Sequence, residues 1–521
     1  MSRQELRMLS MTGNADDSYL FVVRKDFSGG INTRQNPSVI GENQAVSLKN
    51  VDLSIAGQLP KRPGSVLIAT AVSSNNPLGL HNFDIQGATD QLLMYEGTSL
   101  HKWIGSGSWT TLKSNFSTAT EVGICSVKES GLSPDDVVII QNGVDNAFRL
   151  DSAGNFQDLG DTNTSPPKST VMCWYGNRLW VLKNDLLYYS DAYDDDYSGA
   201  FDRTTKYFRI PVGDERKIIP TRDAGMVIMG REQIWALKPS TVPAATDQPE
   251  PLITNMGVVS KQGAVAYGDS IYFFSQDGFR ELRRTIQDKL QVGVSYPLSY
   301  RLKDEFERIS WAYIEKLSMI AFDNKIFITV PTSSTTFDTW IYYPASDAFA
   351  VIEGWTPYCW ATYKVNGEER LYYGKAGSAY RAWYGYTDEG TTTTNGTAVS
   401  EELISRKESI GQELVEKIGG ELEVSVIPSG NYKFTVSINI DDTGWQSLGT
   451  IDLTYNLVTF PCTFPVIFPS SGEIYRKKFH LDRFGTWRNV QFKITNNDTN
   501  IDEVVLLGYS IQTLQEQYDN E

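Results

Sequence analysis

Histidine and cysteine are scarce in this sequence, with three histidines and four cysteines in 521 residues. Cys125, Cys173, Cys359 and Cys462 lie far apart and form no CxxC, so neither a zinc site nor a disulfide framework is signalled. Buried free thiols are expected instead. His81, His101 and His480 have no His or Cys at ligand spacing, and structural roles are expected for all three. GxSxG, GxxxxGK(S/T) and HExxH are all absent. No apolar run reaches about 18 residues, so no membrane-spanning helix is expected. The opening MSRQELRMLSMTGNADD has neither an apolar core nor a small-residue cleavage site, and no secretory signal is read there. Positive charge is also short: 47 Lys and Arg against 63 Asp and Glu leave a net charge of −16. That balance argues against a sequence-independent clamp on nucleic acid, which needs local cations to displace counterions. It suits ordinary solubility, and equally a surface past which nucleic acid slides without adsorbing.

What the chain does have is aromatic residues, 12% of the total, often flanked by Val, Ile and Thr. Such side chains suit pleated, half-buried surfaces, so an all-β chain is expected. From Leu92 onward one unit recurs: an apolar strand, a tight Gly/Asn/Asp turn, and a second strand ending in aromatic or basic residues. It starts at Leu92, Val137, Arg178, Val227, Ile271, Lys325 and Leu371, with spacings between 41 and 54 residues. That period is the one expected of four-stranded propeller blades, although the WD series and the Ser-x-Asp-x-Gly-x-x-Trp box are missing. An array of stacked sandwiches is the competing reading. Ser299 to Ile309 is the one helical interruption, with Leu302, Phe306 and Ile309 on one face. Alternation at Phe434, Val436, Ile438 and Ile440, repeated at Val490, Phe492 and Ile494, predicts a small β-sandwich.

The fold expectation is therefore an irregular β-propeller of six to eight blades with a smaller β-sandwich domain. Residues 1–25 are read as an N-terminal arm, mobile to about residue 18 until something docks it, with the first strand at Tyr19 to Lys25. Residues 26–76 are an extended strap joining the body, 77–390 the propeller, 391–419 a Gly/Thr-rich linker, and 420–521 the sandwich. Within the strap, Val51, Leu53 and Ile55 alternate with polar residues and predict a half-buried strand.

Chemistry is weakly signalled. Asp191, Asp194, Asp195 and Asp196 form the densest acidic cluster, but they lack the ligand order of a Ca²⁺ loop, and a solvated loop is expected. A glycosidase would need two carboxylates across an axial pocket, and with 63 acidic residues the sequence singles out no pair. Trp355, Tyr358 and Trp360 are candidates for stacking on sugar rings, or for packing between blades.

The strap is the most specific stretch. It reads Phe27-Ser28-Gly29-Gly30-Ile31-Asn32, then Asn36-Pro37, Leu48-Lys49-Asn50-Val51, Gly57-Gln58-Leu59 and Lys61-Arg62-Pro63-Gly64. This pattern resembles the N-terminal signature of structural proteins of tailed-bacteriophage short tails, the tail nozzle or hub group with a β-propeller. Phe27, Gly29, Gly30, Asn32, Asn50, Lys61, Arg62, Pro63 and Gly64 carry the likeness. The resemblance implies a non-enzymatic virion subunit, made in the host cytoplasm, that assembles as a homo-oligomeric ring, a hexamer. Its implied partners are the adaptor on the portal side and tail-tip or tail-fibre proteins, with DNA passing transiently and non-specifically on ejection. It supplies no catalytic, cofactor or metal residues, so none is assigned and no cofactor is expected. A carbohydrate-binding or glycan-hydrolysing propeller, such as a tail receptor binder, is the alternative.

Overall fold

The computed structural model describes residues 19–129, 136–194, 196–221, 225–284, 290–292, 296–393, 395–411, 415–427, 432–453, 474–496 and 504–515. The expected mobile arm, Asp195 and Cys462 lie outside them.

Seven four-stranded antiparallel units follow one another along the chain. Their innermost strands are Pro77–Phe83, Gly123–Lys128, Met172–Tyr175, Glu215–Thr221, Ala264–Tyr267, Ser318–Phe322 and Cys359–Val365. Each lies against the next, and the seventh lies against the first, so the units close into a seven-bladed propeller. The second strands coincide with the seven repeats read from the sequence, for example Gln91–Glu96, Asp136–Gln141 and Lys325–Pro331. They are buried along nearly their whole length because each is flanked by a blade on both faces. Tight turns separate them. At Asp323 and Asn324 both φ angles are positive, 47° and 58°, and at Asn366 and Gly367 they are 54° and 82°. Two-residue hairpin turns that match strand twist demand this conformation, and Asn, Asp and Gly tolerate it best.

Blade 7 is completed by the strap. Ser65–Leu67 pairs with Ser378–Ala382 as the outermost strand, joining the start of the chain to the last blade. Blade 6 is extended by the strap as well. Ser47–Lys49 pairs in parallel with the blade's outer strand Ala348–Ile352 and antiparallel with Glu401–Ile404. Val490–Asn496, Lys433–Ile440 and Trp445–Asp452 follow, giving one nine-stranded sheet shared by propeller and sandwich. The second sandwich sheet contains Tyr19–Arg24, Val505–Gln515, Lys417–Ile427 and Tyr475–His480, with Leu59–Pro60 of the strap paired to Val505–Gln515.

Several expected boundaries differ. Residues 391–419 are not only a linker, because Glu401–Ile404 lies inside the shared sheet and Lys417 opens an eleven-residue strand. Tyr19–Arg24 is a sandwich strand rather than part of a free arm. Residues 51–55 form no strand. Val51 makes one isolated bridge to Lys61, and Ile55 is exposed. The Asp52 carboxylate turns the chain there by accepting the Ser54 N–H at 3.1 Å and the Tyr343 hydroxyl at 3.0 Å. The helical interruption is three short pieces, Leu298–Arg301, Lys303–Glu307 and Trp311–Lys316, with Leu302 and Ile309 buried as their spacing predicts.

The apolar core is divided unevenly. Single interblade cores lie between blades 1 and 2, 2 and 3, 3 and 4, 4 and 5, and 7 and 1. One continuous core runs from the strap through blades 5 to 7 into the sandwich, from Phe27 and Leu48 through Trp340 and Trp355 to Phe434 and Ile511.

Candidate functional site: the strap junction

The strap places an arginine where propeller, strap and sandwich meet. Arg62 is fully buried. Its Nη1 and Nη2 donate to the two carboxylate oxygens of Asp388 at 2.9 and 2.7 Å, a bidentate pair. The remaining donors reach the carbonyls of Pro63 at 2.9 Å and Glu353 at 2.8 Å, and Nε reaches Asn50 Oδ1 at 2.8 Å. The guanidinium lies 4.6 Å from the ring centroid of Trp355, whose Nε1 also donates to Asp388, at 2.7 Å. A buried charge is tolerable only when paired and fully hydrogen-bonded, and this one meets both conditions.

Asn50 is the second member. It adopts φ 56°, which Asn tolerates better than most residues. Its Nδ2 donates to the Ser400 carbonyl at 2.7 Å, and its Oδ1 accepts the Glu353 N–H at 3.0 Å as well as Arg62 Nε. One side chain thus links the strap to blade 6 and to the chain leading into the sandwich. Lys61 is also buried. Its N–H donates to the Val504 carbonyl at 2.7 Å, and its ammonium lies 5.5 Å from the Tyr386 ring centroid. Beside it, burial raises the Glu401 carboxyl well above the usual range, against the pull of Lys61, and among the described residues no hydrogen bond reaches either Glu401 oxygen.

The signature glycines mark close approaches of backbone. A Cβ on Gly64 would lie 2.0 Å from the Thr387 carbonyl oxygen, and one on Gly30, at φ 67°, would lie 2.6 Å from the Phe349 nitrogen. Gly29 donates its N–H to Asn43 O at 2.9 Å. Asn32 donates to Gln44 Oε1 at 2.9 Å, and Phe27 packs 6.4 Å from the Tyr509 ring. Every residue carrying the resemblance is therefore part of the strap's seating. The contacts at the junction join strap, propeller and sandwich.

The other sequence candidates fall elsewhere. Trp355 and Trp360 are buried, packed with Tyr373 at 5.6 Å, which is the interior-packing alternative of the two readings and leaves no surface platform there. Tyr358 is partly buried against Phe337. Asp194 and Asp196 accept N–H groups of their own turn, from Tyr197 and Ser198, and Asp191 pairs with Lys206 at 2.7 Å. His81 meets Ser126 at 2.7 Å, and burial lowers its pKa to about 4. His101 bridges Thr111 and Glu96. His480 is exposed beside Glu421. Cys125, Cys173 and Cys359 are buried free thiols.

One feature escaped the sequence. Lys261, just before the innermost strand of blade 5, pairs with Glu121 before blade 2 and donates to Thr170 before blade 3 at 2.7 Å. Gln262 reaches the Leu78 carbonyl of blade 1 at 3.3 Å. Blades 5 and 2 are not neighbours, so these links cross the propeller axis and bar it at the end where the inner strands begin. Nothing short-range in the sequence couples Lys261 and Gln262 to Leu78, Glu121 or Thr170.

No protein-family model matches the sequence, and no curated protein does. Among solved structures, the chain is similar to BBS1N in its complex with ARL6DN, at TM-score 0.40 and 12% identity over 62% of this chain and 98% of that one. It is also similar to PorZ of the Porphyromonas gingivalis type-IX secretion system, at TM-score 0.38 and 9% identity over 68% of this chain and 44% of that one. The WD40 β-propeller domain of Doa1 follows at TM-score 0.32 and 9% identity, over 61% and 96%. The propeller assignment rests on this chain's own strand order and ring closure. Among the described residues, no helix is long and apolar enough to cross a membrane.

Proposed function

We propose that this chain is a structural subunit of a short phage tail, a nozzle or hub component that assembles as a closed homo-oligomeric ring around the path of ejected DNA. The observation supporting this is the strap junction. The residues that carry the tail-protein resemblance are the ones that fuse propeller and sandwich through a shared sheet and a buried Arg62–Asp388 pair. A two-lobed body with one continuous core is suited to transmitting force between neighbours, and rings arise from head-to-tail interfaces whose rotation closes. In this reading the DNA path runs outside the propeller, in a lumen between subunits, and the links across the propeller axis are the observation that favours it. The net charge of −16 fits a lumen past which DNA slides without adsorbing. Adaptor proteins on the portal side and tail-tip or fibre proteins are the partners this role requires.

Mass photometry and negative-stain images of the full chain at micromolar concentration, alone and with the adaptor ring of its virus, test the reading. A closed ring, expected with six copies, supports it. A monomer under both conditions overturns it.

A further inference from the structure

A cavity of about 390 Å³ opens between blades 6 and 7, away from the strap junction. Phe322 and Asp323 line it from the first hairpin of blade 6, and Glu369, Arg370, Arg381 and Trp383 from blade 7. Trp383 is partly exposed and has φ 59°, a left-handed conformation that is rare for a bulky residue and tends to persist at ligand sites. Its ring is held from the protein side. The buried Lys325 ammonium lies 5.0 Å from the ring centroid, and Phe327 meets it edge-on at 5.5 Å.

The polar groups are preorganised and electrically balanced. Glu368 fixes both guanidinium groups, Arg370 at 2.6 Å and Arg381 at 3.3 Å, and Lys325 pairs with Asp323 at 2.9 Å. Arg381 is further stacked on Tyr384, 3.7 Å from its ring centroid. Glu369 is exposed and makes no ion pair among the described residues. Three carboxylates and two guanidinium groups thus face the cavity, and the buried Lys325 behind Trp383, paired with Asp323, brings the local charge to zero. A strongly charged ligand gains nothing from such a balance, whereas a neutral ligand bearing alternating donors and acceptors does.

We propose that this cavity is a subsite for one neutral pyranose unit of a glycan. The apolar C–H face of the sugar stacks on the electron-rich face of Trp383, and its hydroxyls bond to Glu369, Arg370 and Arg381. This inference is independent of the ring assembly proposed above, because ring stoichiometry and sugar binding are read separately.

Saturation-transfer NMR on the full chain, with the methyl glycosides of glucose, galactose and N-acetylglucosamine as probes, tests it. Transfer to at least one of them is expected, with Kd of about 1 mM for a single subsite. Trp383→Gly is expected to weaken that binding at least ten-fold, since glycine accepts the local φ while the platform is lost. Trp445→Ala, which removes an exposed tryptophan of the sandwich, is the control and leaves binding unchanged. Weakening in Trp383→Gly with the control intact supports the proposal. Absence of transfer from all three glycosides overturns it, as does binding that Trp383→Gly retains or Trp445→Ala weakens equally. Should Trp383→Gly fail to fold by circular dichroism, Glu369→Gln decides in its place: a loss of three-fold or more supports the site, and unchanged binding overturns it.

Discussion

Blades 1 to 4 and the body formed by blades 5 to 7, the strap and the sandwich use the same kind of strand but are held together differently. In the first region each pair of neighbouring blades shares a small core of its own. Several ion pairs there, such as Arg203–Asp161 and Lys206–Asp191, are partly exposed, and the more buried Arg149–Glu129 pair lies within blade 2 alone. In the second region one core is common to every part, and its central ion pair is fully buried. A structure built from separable contacts opens piece by piece, while one core shared by several elements opens as a unit. The difference teaches what the strap does. A stretch with no long apolar run of its own makes three bodies cooperative by supplying one short strand to each of three sheets.

The largest test of this contrast is removal of the central cation. Arg62→Ala leaves Asp388 buried without its partner, and loss of about 3–5 kcal/mol of stability is expected in urea unfolding. Lys168→Ala, at the surface pair with Asp161 between blades 2 and 3, is expected to cost less than about 1 kcal/mol. Similar losses from the two variants would mean that the strap junction is no more critical than an ordinary surface pair.

Glycines provide the next comparison. Gly64→Ala drives a methyl group into the Thr387 backbone, a clash no rotamer relieves, with an expected cost of about 3 kcal/mol. Gly87, between the first two strands of blade 1, has φ 80° and no atom within 4 Å of the position an added methyl would take, so Gly87→Ala bears only the left-handed backbone penalty of about 1 kcal/mol. Thermal melts of the two variants separate steric crowding in the weld from simple backbone strain in a blade.

Much of the propeller could be read in the sequence because second strands are apolar throughout and end in turns that select Asn, Asp and Gly. Leu92 to Tyr95 and Ile326 to Ile328 are such runs. Outermost strands gave no comparable signal. Phe156–Asp158 and Tyr207–Arg209 are three residues long and half solvated, too short to show alternation. The same brevity concealed the strap's strands Ser47–Lys49 and Ser65–Leu67, whose pairing is set by tertiary contacts and not by local pattern. Glu401–Ile404 follows a Thr-rich turn and so read as linker, and for Trp355 and Trp360 packing between blades could be read but not their partners Arg62 and Tyr373, which nothing local encodes.

Buried thiols report directly on local opening. Cys125 and Cys173 sit on the innermost strands of blades 2 and 3, and Cys359, in the core between blades 7 and 1, sits on that of blade 7, whose outer strand is the strap. Burial pushes Cys125 and Cys359 up to about 12 and raises Cys173 as well, so alkylation in the native state requires opening. In a Cys462→Ser background, Cys125 and Cys173 are expected to label about ten-fold faster than Cys359, equivalent to about 1.4 kcal/mol of local stability. Equal rates for all three would erase the distinction between the two regions.

The smallest effects are in the pH dependence, where the regions have opposite signs. His81, in the blade half, has a folded pKa of about 4 against about 6.5 when unfolded, so the unfolded chain binds the extra proton between those values. Its contribution is whole above about pH 6.5 and is lost as pH falls toward 4. Because the ring is only half buried by its surroundings, a loss of about 1 kcal/mol is expected, and His81→Gln should flatten that limb. Glu401, in the weld, is shifted the other way: burial raises its folded pKa, so the folded chain holds the proton more tightly. Its contribution is whole below the unfolded value and is lost as pH rises through the folded one. Glu401→Gln is therefore expected to gain on the parent chain as pH increases. A variant that instead falls further behind with rising pH would mean that Glu401 is ionised in the fold and that its attraction to Lys61 outweighs burial.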